Sequence, residues 1–188
     1  MASKIKVDQL ETADGTGTIA LQNQLSGMTT ASLPALGAAQ MPTGAVLQVV
    51  NYRSTAYNTA TTSTSFVDTG MSATIAPSST SSKILVIANL NGLNKHGADY
   101  SVSTKLLRGS IDIGTIESMN TYTANSETGM SGASISYLDS PNTNSAVTYK
   151  IQFASVSGGN VMINLRWNSS YTTHSTITLM EIAGWFLI

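Results

Sequence analysis

From residue 44 onward, apolar side chains recur at every second position in short runs, and each run is closed by Gly, Pro, Asn or Ser. Val147, Tyr149, Ile151 and Phe153 alternate with Thr148, Lys150 and Gln152; Val161, Ile163, Leu165 and Trp167 alternate with Met162, Asn164 and Arg166. A period of two belongs to a strand with one face buried, because successive side chains point to opposite faces of a sheet. Ser157-Gly158-Gly159-Asn160 lies between these two runs and tolerates positive φ, so the sequence predicts a β-hairpin there. Arg108-Gly109-Ser110 predicts a second. Further strands are expected over 45–53, 66–76, 83–91, 100–107, 111–117, 133–138 and 176–187. So many short strands, with almost no helix-period pattern and no fixed-period repeat, predict an all-β domain: an antiparallel β-sandwich of jelly-roll type, with a closed barrel as the alternative.

Residues 1–43 differ. Ile5, Val7 and Leu10 alternate briefly before an Asp14-Gly15 turn, and the Ala/Leu/Met stretch that follows is broken at Pro34 and Pro42. This segment is too thin in apolar residues to offset a backbone entropy cost of about 1–2 kcal/mol per residue. The expected organisation is therefore an extended N-terminal arm over 1–43 and a knob domain over 44–188.

Composition narrows the class. Only 10% of the 188 residues are charged, against about 25% in an average domain, while 26 serines and 25 threonines supply the polar surface. Nine Lys/Arg against ten Asp/Glu give a net charge of −1, too weak a field to neutralise a row of phosphates, so no nucleic-acid partner is expected. Nor is membrane insertion, since the apolar runs are far shorter than a span. With no cysteine and two histidines, neither a disulfide framework nor a metal site is expected. The first thirty residues hold no apolar run of signal-peptide length, so synthesis in the cytoplasm is expected. The rest of the composition is that of an extracellular β protein.

Few motifs suggest chemistry. Gly15-Thr16-Gly17-Thr18-Ile19-Ala20 matches a dinucleotide fingerprint in letters, but no buried strand precedes it and no helix pattern follows, so a turn is expected. No strained serine elbow is present. Nothing in the sequence groups Asp99, Glu127 and Asp139 into a glycosidase pair. No catalytic residue and no cofactor are expected. His96 and His174 both fall among turn residues and read as solvated loop histidines. Tyr52, Tyr57, Tyr122 and Tyr171 lie in or beside loops rich in Asn, Thr and Ser, where an aromatic face suits sugar binding.

Three strings carry a resemblance. They are Phe66-Val67-Asp68-Thr69-Gly70 with Ala73-Thr74-Ile75-Ala76-Pro77-Ser78-Ser79-Thr80-Ser81-Ser82-Lys83-Ile84-Leu85-Val86; Ile5-Lys6-Val7-Asp8-Gln9-Leu10-Glu11-Thr12; and Thr176-Ile177-Thr178-Leu179-Met180-Glu181-Ile182-Ala183-Gly184. Together they resemble fibre and appendage virion proteins of tailed phages, of the cyanobacterial and marine type. The resemblance implies an N-terminus attached to the virion, a trimeric β-sandwich knob, and no catalytic residues. A phage protein of this kind is made in the host cytoplasm and works outside, which fits the composition.

The function expected is that of a structural virion protein. It is a short homotrimeric fibre held on capsid or tail proteins through 1–43, with Ile5, Val7 and Leu10 in the attachment, and presenting its knob to a host-surface glycan. The rival readings are a capsid or tail decoration protein that only stabilises the particle and, more remotely, a carbohydrate hydrolase. Receptor contacts are expected from Tyr122 and Asn125, in a long loop over 118–132, and from Tyr171 and His174. In the last strand the face Ile177, Leu179, Glu181, Ala183, Trp185 and Leu187 carries large apolar groups, yet Met180, Ile182, Phe186 and Ile188 make the other face apolar too. A strand with a solvated face should be polar there. Met180, Ile182, Trp185, Phe186 and Ile188 are therefore expected at a trimer interface, the alternative being a central strand of the sandwich.

Overall fold

The computed structural model describes residues 37, 40–125, 130–165 and 173–184. The chain divides into two compact units, Met1–Gly37 and Ala38–Ile188, and the second holds every strand described here. Ten strands follow in order: β1 (Val46–Arg53), β2 (Thr59–Thr61), β3 (Val67–Ile75), β4 (Lys83–His96), β5 (Val102–Arg108), β6 (Ile111–Asn120), β7 (Met130–Asp139), β8 (Val147–Ser155), β9 (Asn160–Ile163) and β10 (Thr176–Ile182).

The larger sheet runs β1-β10-β4, with β7 along the other edge of β4, and a short β9–β2 ribbon joins the far end of β4. The smaller sheet runs β3-β8-β5-β6. Every pairing is antiparallel. Leaving the ribbon aside, the chain visits the sheets so that β1, β10, β4 and β7 face β3, β8, β5 and β6, which is the jelly-roll order. The domain is a sandwich rather than a closed barrel. Its core lies between the sheets, with Ile84, Val86, Ala88, Leu90, Ile177 and Leu179 from one and Met71, Ile75, Leu106, Tyr149, Ile151 and Phe153 from the other. Burying each large side chain stabilises the fold by about 1.5–3 kcal/mol.

The Arg108-Gly109-Ser110 hairpin forms between β5 and β6, with Gly109 at φ 59°. The hairpin expected across Ser157–Asn160 does not. β8 already has β3 on one edge and β5 on the other, so no edge is left for the next strand, and the chain crosses to the larger sheet, where β9 pairs with β4 and β2. Gly158, at φ 80°, turns the corner, and a Cβ on Gly159 would collide with the Tyr100 ring. β9 also ends at Ile163, well short of Trp167, because Asn164 adopts φ 58°.

Two segments expected as loops are strand. β4 continues through Asn91-Gly92 to His96, since the asparagine and glycine make a bulge rather than a turn. Gly92 sits at φ 63°, and a Cβ there would lie 2.6 Å from the Leu165 nitrogen. β6 extends to Asn120 and β7 begins at Met130, which shortens the expected 118–132 loop. Tyr52 is likewise a β1 residue packed against the core. β10 is a central strand between β1 and β4, and so matches the alternative reading of the last strand in its position within the sheet.

Candidate functional site

The strand registers turn the outer face of the larger sheet into four rows of side chains. At one end Arg53 stands opposite Thr176, Thr176 opposite Asn89, and Asn89 opposite Ser134. The next row is Asn51, Thr178, Ile87 and Ser136; after it come Val49, Met180, Leu85 and Leu138. Val46, Ile182 and Lys83 close the far end. The face therefore grades from polar to apolar along the strands. Neighbouring strands lie about 4.8 Å apart and each residue advances about 3.4 Å, so the Arg53 row and the Val49 row are about 14 Å apart.

At the apolar end Val49 and Leu138 are each 55% exposed, with Met180, Ile182, Leu85 and Ile87 half-buried between them. β10 explains the doubly apolar pattern in part. Its inner face, Ile177, Leu179, Glu181 and Ala183, is buried in the sandwich. Its outer face, with Met180 and Ile182, is covered by nothing among the described residues.

The polar end is built on a buried network. Asn164 donates from Nδ2 to Ser54 Oγ at 3.0 Å and accepts at Oδ1 from Ser175 Oγ at 2.5 Å, and all three residues are buried. The same Ser175 Oγ accepts from the Asn91 backbone nitrogen at 2.9 Å, and the Asn164 nitrogen donates to the Asn91 carbonyl at 3.0 Å. Asn91 Nδ2 in turn donates to the His174 carbonyl at 2.7 Å. Between Asn89, Asn91, Gly132, Ala133 and Ser134, beside the bulge in the β4–β7 pairing, lies an open groove of about 300 Å³.

The residues expected from sequence are distributed as follows. His174 lies beside the groove, its Nδ1 donating to the Ser54 carbonyl at 3.0 Å, so it is tied down rather than freely solvated. His96 is exposed but ends a strand. Tyr122 is half exposed and donates to Asp99 Oδ1 at 3.0 Å; that bond and the Asp99 charge push its hydroxyl pKa up. The Asn125 carbonyl accepts from Lys95 Nζ at 2.9 Å, and Lys95, fully buried, also donates to the Thr123 carbonyl at 2.7 Å. No hydrogen bond among the described residues links Tyr122 or Asn125 to His174. Ile5, Val7, Leu10, Tyr171, Trp185, Phe186 and Ile188 lie outside the described residues.

Sequence reasoning missed Lys95, hidden in what read as a string of turn residues, and also the Asp139 cluster. Asp139 Oδ2 accepts from Tyr149 Oη at 2.6 Å and from Arg108 at 2.7 Å. Burial, together with the bond to Asp139, pushes the Tyr149 hydroxyl far above its ordinary value. A carboxylate so engaged joins the two sheets. Glu127 lies outside the described residues, so the suspected carboxylate set reduces to Asp99 and Asp139, held in separate networks. Another surface acid, Asp68, is held below the ordinary carboxylate range by hydrogen bonds from Gln152 and Lys150.

No protein-family model matches the chain, and no curated protein does. Among solved structures, the chain is similar to VP2 of the infectious bursal disease virus subviral particle, with 11% identity and a TM-score of 0.41. The alignment covers 81% of this chain and 37% of that one. A likeness this distant says nothing about what either protein binds.

Proposed function

We propose that this chain is a structural protein of a tailed-phage particle, a short homotrimeric fibre whose jelly-roll knob attaches to a host-surface glycan. The observation that carries the self-assembly is the apolar end of the outer face. Val49, Met180, Leu85 and Leu138 form one uninterrupted row across four strands, and none of the four rows contains a carboxylate. An exposed apolar patch of this kind marks an interaction surface, and a second copy carrying the same carboxylate-free apolar row suits it, which extends the expectation for Met180 and Ile182 to their neighbours on β1, β4 and β7. Residues 1–43 serve as the virion attachment in this reading, and the resemblance of three strings to phage fibre proteins supports the setting. The protein has no enzymatic role in it and works in the virion.

Light scattering on the full chain is the test, comparing wild type with Met180→Glu and Leu85→Glu. Both carboxylates would lie at the outer surface, so the monomer should fold. The expected result is a trimer for wild type and a monomer of unchanged circular dichroism for the variants. A wild-type monomer at micromolar concentration overturns the self-assembly. A deletion phage that adsorbs normally but has a fragile particle supports the decoration role instead.

A further inference from the structure

We propose that the polar end of the outer face is a binding site for an acidic oligosaccharide, with Arg53 as the anchor for a sugar carboxylate; this deepens the attachment role above and rests on it. The row Arg53-Thr176-Asn89-Ser134 crosses four strands in one register. Arg53 and Asn89 stand two strands apart, about 10 Å, and Ser134 one strand further. That is the span of a di- or trisaccharide, not of a single ion.

The donors and acceptors are of the right kind and are unspent. Arg53 is exposed and makes no ion pair among the described residues, and Asn89, also exposed, has no side-chain hydrogen bond among them. Asn91 is held from behind by Ser175, Asn164 and His174, so its amide is fixed before any ligand arrives. With Nδ2 committed to the His174 carbonyl, Oδ1 remains to accept from a sugar hydroxyl. It lies 3.6 Å from where a Cβ on Gly132 would stand, so the missing side chain keeps the groove open. Such pre-positioning reduces the entropy lost on binding.

Charge selects the ligand class. The outer rows contain two cations, Arg53 and Lys83, and no anion. Lys83 lies at the apolar end, where its Nζ donates to Ser140 Oγ at 2.6 Å, so among the described residues Arg53 is the cation of the polar-end row. A guanidinium presents a planar fork that matches a carboxylate in two parallel hydrogen bonds. One cation is too few for a run of phosphates, and the row offers no aromatic platform for bases. A uronic-acid sugar, with one carboxylate and several hydroxyls per ring, matches one guanidinium flanked by amides and hydroxyls. The site stays accessible in a trimer built on the apolar end, about 14 Å away.

The experiment uses the full chain and three immobilised probes: oligogalacturonate, a sulfated galactan oligosaccharide and neutral maltooligosaccharide. Variants are Arg53→Gln, Asn89→Ala and, as a control on the smaller sheet, Lys150→Gln. The expected result is binding to oligogalacturonate that weakens with salt, falls roughly tenfold or more in Arg53→Gln, the effect of losing one charge-assisted contact, falls less in Asn89→Ala, and persists in Lys150→Gln, with unchanged melting temperatures. Preference for the sulfated probe overturns the carboxylate assignment. Glycan binding by wild type that Arg53→Gln and Asn89→Ala leave intact overturns this site while the attachment role survives. Failure of wild type to bind any sugar on a broad glycan array overturns both.

Discussion

Glu181 offers the sharpest test of how this sandwich is closed at one end. Its carboxylate lies on the inner face of β10, fully buried. Oε1 accepts from the Ser78 nitrogen at 2.7 Å and from Ser78 Oγ at 2.6 Å, and Oε2 accepts from Gln48 Nε2 at 2.6 Å. That same Nε2 donates to the Ala76 carbonyl at 2.7 Å. One acid thus ties the turn after β3 to β10 and β1. Glu181→Gln keeps the volume but replaces one acceptor oxygen by an NH2 group. If its oxygen serves Ser78, its NH2 faces Gln48 Nε2, donor against donor. Flipping the Gln48 amide relieves that clash but turns its oxygen toward the Ala76 carbonyl. No arrangement satisfies all the partners. Losing a hydrogen bond to a charged group costs about 1.5–3 kcal/mol, which for a domain of this size lowers Tm by about 4–10 °C. Burial pushes the carboxyl pKa up, but the bonds from Ser78 and Gln48 outweigh it and hold it below its ordinary value of 4.5. A lowered folded-state pKa gives stability that is complete above the ordinary value and is lost as pH falls through the folded one. Urea melts from pH 7 down to 3 should therefore show wild type losing stability below about 4.5 and Glu181→Gln, already weaker at pH 7, with a flatter acid limb. Equal stability at pH 7 together with superimposable acid limbs would mean that the Glu181 charge does not hold the end of the sandwich closed.

Three further outcomes are expected. Gly184→Ala places a methyl on the Ser81 carbonyl oxygen, so backbone must move; thermal melting should show a loss of about 1–3 kcal/mol or more, the usual range for overpacking. Tyr149→Phe removes the 2.6 Å bond to Asp139 but leaves Arg108 in place, and chemical denaturation should register about 1.5–3 kcal/mol. Lys95→Met keeps the buried stem and removes both donations to the Thr123 and Asn125 carbonyls; hydrogen exchange over 121–125 should accelerate, while the core strands should keep their protection.

That the second unit is a β-sandwich, and where most of its strands lie, is legible in the amino-acid pattern alone. Period-two runs such as Val147–Phe153 and breakers such as Arg108-Gly109-Ser110 act locally, and the structure follows them. That pattern could not determine which strand pairs with which. Ser157-Gly158-Gly159-Asn160 has hairpin composition, yet β8 and β9 part because β3 and β5 occupy both edges of β8, and edge occupancy is a property of the whole sheet. Asn91-Gly92 likewise reads as a turn and becomes a bulge, because β4 continues past the end of β10 and takes β9 as its new partner. The candidate site was legible only at its margins. Met180 and Ile182 stand out as apolar where polarity is expected, and His174 lies beside the groove. Arg53, Asn89 and Ser134, far apart in the chain and ordinary in their local sequence, become neighbours only through the register of three strand pairings, and that register is set by which faces the core must bury.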